Sequence, residues 1–514
     1  MSVSSLFELN SEDLNRRAGK STALNLAARG FSILSQFVTF AVLARLLTPA
    51  DFGLVAMALP LVAVLLVVGD LGLSKWTLQA PTISEEQASS LFFLSLAAGV
   101  VIAALCIAVS PLLALLYDEP RVAAIASVLA LQFVLAGMRS QHKALLQRAL
   151  RFRHLSQIEI VSSLIATVGA VWMAWQFETY WAFVARFLIQ SILQTLGTWM
   201  AARWKPKFIF WTPDTARMLR FGGAIMGGFI FNTVGRQMDN VLIGWRWGEA
   251  ALGIYAFAYR IFLLPVQQLS NPLSEVLIPA LSRLREQHEQ CRKLFRTALK
   301  GFGLVAVPPF VAIAVCAEEV ILVVAGDQWL AAALVLKVLA PLGALHVYYS
   351  PIGWLMVAFG RADRYFLWTV VLTPIYLTAF VVGLPWGPFG VACAYAVAHA
   401  SILLPSWFYG TRGTAIRMRD ALGAMVPSLA LGGATALLTL PAKMQLAASG
   451  PLVVLSSAVV VVLLMWLVGA GTLIGFRRVR DNANLQSLSK LLASARRGPG
   501  TKAATLKELE GKIE

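Results

Sequence analysis

The chain has 514 residues, of which 58% are hydrophobic and only 13% charged, and its formal net charge is +17. A water-soluble domain carries about 25% charged residues, so this composition excludes an ordinary soluble globular protein and indicates a chain that lies largely in lipid. The positive charge could suggest nucleic-acid binding, but the basic residues are spread over many loops, which favours membrane topology as their explanation.

Long apolar segments follow one another along the whole chain. Because about 20 residues of helix cross the hydrocarbon of a bilayer, they predict an all-α integral membrane fold with about fourteen transmembrane helices. Eight segments lie near residues 23–45, 52–74, 89–116, 122–138, 157–176, 180–202, 221–244 and 251–282. Six more lie near residues 300–317, 330–358, 365–383, 388–410, 421–441 and 451–475. About twelve or thirteen spans remain an alternative, since the turns within 157–202 and 365–410 are short.

The Lys and Arg residues orient the chain in the membrane. Most of the 43 basic residues fall in every second loop, for example in segments 139–153, 203–220 and 283–300, and in the tail after residue 476. Cytoplasmic loops carry the Lys and Arg excess of membrane proteins. The pattern therefore predicts an even number of spans with both termini in the cytoplasm, and it leaves no reason to expect a nucleic-acid partner.

The sequence predicts no metal site, no cofactor and no catalytic constellation. The 4 Cys and 5 His residues are widely spaced and form no CxxC or Cys/His cluster. Residues 18–22, AGKST, imitate half of a P-loop, but Leu14 stands where the first glycine should be. The loops predicted to face outside are short, the longest lying near residues 318–329. We therefore expect a protein that is not an enzyme.

A weak internal repeat relates two parts of the chain. At an offset of 200, LARLLTPADFGLVAMA from Leu43 aligns with IGWRWGEAALGIYAFA from Ile243, so that Gly53 matches Gly253. A chance match between apolar segments is the alternative. If the repeat is real, the offset spans six predicted helices, and the two halves are related by an axis along the membrane normal, with a substrate path between them.

Charged residues inside the predicted spans are the candidate functional residues, because a charge at bilayer depth is costly. They are Arg29, Asp70, Arg186, Arg236, Asp239, Arg260, Glu275 and Lys337. Simpler explanations exist for several of them: Lys337 and Arg186 can extend to the interface, and Arg236 can neutralise Asp239 three residues later. Arg29 and Arg260 have no acidic residue one helical turn away, so they need a partner from elsewhere, either a ligand or an interhelical salt bridge with Asp70 or Glu275.

Several motifs resemble one known family. They are LARLLTPADFGLVAM at Leu43, DLGLS at Asp70 with Gln79, QRALRF at Gln147, DNVLIG at Asp239, LGIYAFAYR at Leu252 and PALSRLR at Pro279. With these motifs the chain resembles the polysaccharide transporters, or Wzx-type flippases, of the multidrug/oligosaccharidyl-lipid/polysaccharide (MOP) exporter superfamily. The resemblance covers roughly residues 20 to 475 and is most specific in the first block.

The resemblance implies two pseudo-symmetric six-helix lobes around a central cavity, followed by two further helices. The segments are then a cytoplasmic N-terminal segment 1–20, an N-lobe 21–204, a C-lobe 205–410, helices thirteen and fourteen in 411–476, and a cytoplasmic tail 477–514. It also implies a monomer in the bacterial inner membrane that works by alternating access without a cofactor.

The same resemblance implies a cargo, which is a lipid pyrophosphate-linked oligosaccharide for exopolysaccharide, capsule or O-antigen assembly. Basic cavity residues hold the anionic head group in that family, a role that Arg29, Arg260 and Arg236 match, because guanidinium groups suit pyrophosphate oxygens. Asp70, Asp239 and Glu275 are expected to couple an ion or to form structural pairs. Expected partners are the cargo, membrane lipids, and the polysaccharide polymerase and chain-length proteins.

Two other functions remain as alternatives. A multidrug cation antiporter of the same superfamily would use acidic cavity groups and usually about twelve spans. A polytopic membrane glycosyltransferase or polymerase would carry catalytic residues in sizeable loops, which this sequence lacks.

Overall fold

The computed structural model of the chain describes residues 30, 35–69, 72–80 and 82–478. Within these ranges the regular elements are helices, so the predicted all-α membrane fold class is confirmed. The first eight are α1 Ser35–Leu46, α2 Pro49–Gly69, α3 Leu73–Gln79, α4 Glu85–Tyr117, α5 Pro120–Leu129, α6 Leu131–Arg148, α7 Phe152–Phe177 and α8 Trp181–Ala202.

The second half begins with a helix of 69 residues, α9 Thr215–Arg283, which is in fact two helices joined at a kink. At the kink Gly248 has a φ of 78° and a ψ of −175°, a conformation that glycine adopts without a steric penalty. The helices that follow are α10 His288–Val315, α11 Ala317–Val324, α12 Ala331–Ala358, α13 Ala362–Gly383, α14 Gly387–Thr411, α15 Met418–Leu446 and α16 Pro451–Arg478. We call α1–α8 the N-lobe and α9–α14 the C-lobe, following the predicted division.

Ten stretches of the described chain are long and apolar enough to cross a membrane. Three of these stretches contain two helices each. Pro120–Arg148 contains α5 and α6, Thr233–Arg283 includes the kink at Gly248, and Ala362–Thr411 includes the short 3-10 turn Leu384–Trp386. The count of fourteen spans therefore stays a prediction. Some predicted boundaries differ: the span expected to end at residue 138 continues as helix to Arg148, and the span expected to begin near residue 300 begins as helix at His288.

The two lobes touch closely where α2 packs along α9, at the end that the loop charges predict to be outside. Gly53 faces the backbone of Glu249, and Gly253 faces the backbone of Pro49. A Cβ atom on either glycine would overlap the carbonyl oxygen of the residue that it faces. The offset of 200 residues relates the two contacts, because Gly53 corresponds to Gly253 and Pro49 corresponds to Glu249. The same close approach therefore accounts for glycine at both positions.

Aromatic and polar contacts extend this interface. The Trp329 indole N–H donates to the Ala44 carbonyl oxygen at 2.7 Å, and the Gln328 amide donates to the same oxygen at 2.9 Å. The Trp329 ring packs against Phe257 at 4.2 Å and against Phe52 at 4.7 Å between ring centroids. We call this set of contacts the outer closure; it comprises Ala44, Gly53, Gly253, Gln328 and Trp329.

Candidate functional site

Three helices of the N-lobe, α6, α7 and α8, carry polar side chains that bond to one another at membrane depth. The Arg139 guanidinium donates to the Gln194 side-chain oxygen at 2.6 Å and to the Ser191 hydroxyl at 3.4 Å. The Gln194 amide donates to the Glu159 carboxylate at 2.7 Å, and the Gln190 amide lies 3.4 Å from the same carboxylate. Charged groups at this depth are costly and are candidates for function.

Arg186 of α8 belongs to the same region of the N-lobe. The residue is only 7% exposed, and its Nε atom has no hydrogen-bond partner among the described residues. The Glu159 carboxylate is close enough to act electrostatically on both Arg186 and Arg139. Because two guanidinium groups share one carboxylate, this part of the N-lobe carries excess positive charge.

Arg260 of α9 approaches this region from the C-lobe. Its guanidinium lies 5.2 Å from the centroid of the Phe40 ring of α1, a cation–π contact between the lobes. Arg260 is also close enough to Arg186 for the two positive charges to repel each other. Two largely buried cations in this arrangement are unfavourable unless an anion lies near both. We call Arg139, Glu159, Arg186 and Arg260 the arginine site.

Two of the predicted site residues, Arg29 and Asp70, lie outside the described residues. Arg236 is exposed, and it acts electrostatically on Asp239, which is only 2% exposed. The Asp239 carboxylate accepts hydrogen bonds from the Tyr255 hydroxyl at 2.9 Å and from the backbone N–H of Asn240 at 2.8 Å. Asp239 is therefore held by local hydrogen bonds in the core of the C-lobe.

The remaining predicted residues are Glu275, Lys337 and Arg186, and they lie in different surroundings. Glu275 is exposed, farther along α9 toward its end at Arg283. Lys337 pairs with Glu318, as expected for a side chain that extends to the interface. Arg186, for which the sequence offered the same interpretation, is instead buried, and the Glu159 carboxylate acts on it electrostatically. Of the predicted residues, the structure thus brings Arg186 and Arg260 together.

Sequence reasoning missed two members of the arginine site. The apolar segment 122–138 ends before Arg139 and so places this residue in an inner loop, whereas α6 extends ten residues beyond 138 to Arg148. Glu159 was absent from the candidates, although it lies well inside α7. The sequence feature that could have pointed to this site is the pair Gln190 and Gln194, which are four residues apart and therefore lie on one face of α8.

Metal binding has no support among the described residues, where three or more His, Cys, Asp or Glu side chains do not come together.

The sequence of the chain is similar to those of several known proteins. The family described as polysaccharide biosynthesis protein matches residues 42–334 of the chain. The teichuronic acid biosynthesis protein TuaB of Bacillus subtilis is 30% identical over 376 residues, which cover 73% of this chain and 75% of that protein. The lipopolysaccharide biosynthesis protein WzxC of Escherichia coli is 26% identical over 374 residues, covering 72% of this chain and 76% of that protein.

Among solved structures, the lipid II flippase MurJ in an inward closed conformation has a similar fold. Its TM-score is 0.70 at 15% sequence identity, and the match covers 88% of this chain and 98% of that chain. At this identity the likeness shows the arrangement of helices alone. It agrees with the two-lobed architecture that the motifs at Leu43 and Leu252 imply.

Proposed function

The chain belongs to the family of polysaccharide biosynthesis proteins, and we propose that it is a flippase that moves a lipid pyrophosphate-linked oligosaccharide across the membrane for polysaccharide assembly. The observation that carries this function is the arginine site, where the buried Arg186 of one lobe and Arg260 of the other are close enough for their positive charges to repel each other. An anion between the two lobes would relieve that repulsion. Pyrophosphate fits because several guanidinium donors can engage its oxygens together.

The two lobes give this cargo a route by alternating access. With the outer closure formed, the head group would enter from the cytoplasmic side, bind at the arginine site and leave after the lobes rock. The lipid tail would remain in the bilayer. Outward movement of negative charge is downhill in an inside-negative membrane by about 2.3 kcal/mol per charge per 100 mV, so the membrane potential would help to drive export.

We assign the pyrophosphate to Arg186 and Arg260 in the described part of the chain, with Arg29 as a further ligand expected from the sequence. Glu159 would balance part of the positive charge of Arg186 and Arg139, and Arg139 would hold Gln194 against Glu159. Arg236, on the C-lobe side, would contact the cargo beyond the pyrophosphate. The buried Asp239, bonded to Tyr255, has the geometry of a structural residue, and Asp70 and Glu275 stay candidates for ion coupling.

Topology and assembly complete the proposal. The protein would be a monomeric transporter, not an enzyme, in the bacterial inner membrane with both termini in the cytoplasm, as the loop charges predict. The divisions 21–204, 205–410 and 411–476 would correspond to the N-lobe, the C-lobe and the two additional helices. Functional partners would be the enzymes that polymerise the exported repeat unit and set the chain length.

The deciding experiment is complementation of a strain that lacks this gene. We expect that Arg186→Ala with Arg260→Ala lowers polysaccharide export at least about tenfold, since each removes charge-assisted hydrogen bonds to the cargo. The completed lipid-linked repeat unit should accumulate on the cytoplasmic face, as measured by mass spectrometry. Arg246→Ala is the matched control, because Arg246 is exposed on the same helix and contacts Trp247. Full export by the double variant at normal membrane levels would disprove the assignment.

Ion coupling requires a separate measurement. If Asp70 or Glu275 couples an ion, collapse of the sodium and proton gradients should slow transport of the lipid-linked repeat unit in whole cells. A transport rate that is unaffected by both treatments would eliminate antiport and leave the membrane potential as the driving force.

A multidrug cation antiporter is the second candidate function, and the buried carboxyl of Asp239 is the observation that favours it. In that case Asp239→Asn would sensitise cells to cationic dyes and leave polysaccharide export intact. We expect instead that Asp239→Asn affects polysaccharide export and leaves dye sensitivity unchanged, because the arginine site would repel a cationic drug.

A further inference from the structure

A second polar cluster lies inside the C-lobe and has no part in the mechanism above. It comprises four tyrosines and two histidines from α9, α12, α13 and α14: Tyr259, His346, Tyr349, Tyr376, Tyr395 and His399. We call it the Tyr–His cluster. Ring centroids are 4.8 Å apart for Tyr349 and His399, 5.4 Å for His346 and His399, and 5.4 Å for Tyr376 and Tyr395. The rings of α12, α13 and α14 therefore pack together, and Tyr259 of α9 interacts with Tyr395.

The cluster offers hydrogen-bonding groups that the protein leaves unused. The Tyr376 hydroxyl bonds to Nδ1 of His399 at 2.8 Å, while Nε2 of the fully buried His399 has no partner among the described residues. Nδ1 of His346 is likewise unpartnered within the described chain. Because a buried polar atom without a partner is costly, these nitrogens indicate a ligand or water that bonds there.

The position of the cluster places it next to the arginine site. Tyr259 directly precedes Arg260 on α9 and interacts with Tyr395 of α14. Tyr259, His346, Tyr349 and Tyr395 all keep some accessible surface although rings from neighbouring helices surround them. These four side chains are therefore the members of the cluster that a ligand could reach. A ligand held by Arg260 could therefore extend into contact with these rings.

The charges near the cluster favour a neutral ligand. Arg236 acts electrostatically on His346, Tyr349 and Tyr395, and Asp239 acts on Tyr259 and Tyr395. In the described part of the chain, the groups that act on the two histidines include no carboxylate. Because the positive Arg236 and the negative Asp239 both act on the cluster, the nearby charges offset each other, which suits an uncharged ligand.

We propose that the Tyr–His cluster is a sugar subsite that binds a pyranose ring of the cargo beside the pyrophosphate. The C–H faces of a pyranose pack on aromatic rings, and its hydroxyl groups exchange hydrogen bonds with phenol and imidazole groups. A mostly apolar wall with a few placed polar groups is the usual composition of a small-molecule site. The inference rests on the proposed flippase function and assigns the glycan, rather than the pyrophosphate, to the C-lobe.

The test compares two lipids that differ only in the glycan. One probe is the lipid-linked repeat unit purified from the deletion strain, and the other is the polyprenyl pyrophosphate left after its glycan is removed. Binding to the full chain in lipid nanodiscs is measured for both. We expect Tyr349→Leu and Tyr395→Leu to weaken binding of the repeat unit about tenfold and to leave binding of the bare pyrophosphate lipid unchanged. Tyr395→Phe, which keeps the ring, should retain most of the affinity.

Controls separate a local effect from misfolding. Tyr409→Leu removes a tyrosine of α14 that stacks on Trp368 outside the cluster, and it should alter the affinity for neither lipid. Arg260→Ala should weaken binding of both lipids, since both carry the pyrophosphate.

The possible results distinguish failure of the sugar subsite from failure of the proposed flippase function. Equal affinity of wild type and both leucine variants for the repeat unit overturns the sugar subsite, as does equal weakening for both lipids. Unchanged lipid binding combined with loss of a pH dependence of transport between about pH 5 and 8 would make the cluster a proton site instead. If the wild type binds neither lipid, the proposed function fails, and the sugar subsite fails with it.

Discussion

Arginines of the same chain differ in their role because of what surrounds each side chain. Arg246 is exposed and lies against Trp247, so it can reach water at the membrane edge. Arg186 is 7% exposed, shares Glu159 with Arg139 and faces Arg260. The first arrangement needs no ligand to be stable. The second leaves positive charge uncompensated between the lobes, which suits a cargo with an anionic head group.

Glu159 offsets part of the positive charge of the arginine site, so replacing its carboxylate with a neutral side chain should change the affinity for the cargo. We expect Glu159→Gln to bind polyprenyl pyrophosphate about fivefold more tightly, because one unit of negative charge near the phosphate contributes about 1 kcal/mol of repulsion. Equilibrium binding in lipid nanodiscs provides the measurement. Glu159→Asp keeps the charge and should bind as the wild type does. A weaker affinity in Glu159→Gln would show that Glu159 positions Arg186 rather than opposing the cargo.

At the scale of elements, the short helix α11 is tied to its neighbours by ion pairs. Glu318 pairs with Lys337 of α12, and Glu319 pairs with Lys443 of α15 at 3.0 Å. Lys443 also donates to the Val315 carbonyl oxygen of α10 at 3.1 Å. These contacts join α10, α11, α12 and α15 at the end where the outer closure lies, and they hold the turn that carries Trp329.

The pair between Glu318 and Lys337 predicts a pH dependence of stability. The hydrogen bond from Lys337 lowers the pKa of the Glu318 carboxyl below its ordinary value of 4.5. A lowered pKa stabilises the fold above the ordinary pKa, and this contribution disappears as the pH falls through the lowered pKa. We expect Glu318→Gln to cost about 0.5 kcal/mol at pH 7, seen as a lower melting temperature in detergent.

The same comparison at low pH checks the cause. At a pH below the lowered pKa of the Glu318 carboxyl, wild type and Glu318→Gln should melt at about the same temperature. Glu286→Gln is the control, since Glu286 is exposed and its only recorded ion pair in the described chain is with the neighbouring Arg285. A difference between wild type and Glu318→Gln that persists unchanged at low pH would mean that the ion pair is not its source.

At the scale of the whole molecule, the outer closure determines which side of the cavity is shut. Its tightest part is the pair of contacts made by Gly53 and Gly253 against the backbones of Glu249 and Pro49. Arg121 of α5 adds an ion pair to Glu249 at 3.6 Å across the two lobes. The lobes can approach this closely only because neither glycine has a Cβ atom.

Substitution of these glycines should therefore open the outer side. We expect Gly53→Ala and Gly253→Ala each to raise the population open to the outside at least about tenfold, because each 1.4 kcal/mol of steric penalty changes the ratio tenfold. The measurement is the labelling rate of Ala44→Cys by an impermeant maleimide added outside, in a background without the four native cysteines. Ala44 is fully buried while the closure is formed.

Gly69→Ala is the matched control on α2. A Cβ atom at Gly69 would meet only the Ile102 side chain, at an ordinary distance of 3.7 Å. This variant should label at the wild-type rate. Equal labelling rates in Gly53→Ala, Gly253→Ala and the control would show that the glycine contacts do not limit opening.

The fold class was accessible from the sequence to a large extent. Helices in a membrane satisfy their backbone hydrogen bonds within each segment, so the apolar segments and loop charges predict them locally. Even the repeat that pairs Gly53 with Gly253 was visible as a weak match. The boundary near residue 138 failed because α6 continues with polar residues to Arg148, beyond the apolar stretch that was used to find it.

By itself, the sequence determined an all-helical membrane chain, a resemblance to one family and a set of costly charges. Only the tertiary structure decided which of these charges meet: Arg186 and Arg260 come from opposite lobes, and Glu159 joins them from a third helix. The Tyr–His cluster likewise forms from four helices. The physical reason is that helix formation depends on neighbours along the chain, whereas a site between lobes depends on how distant helices pack.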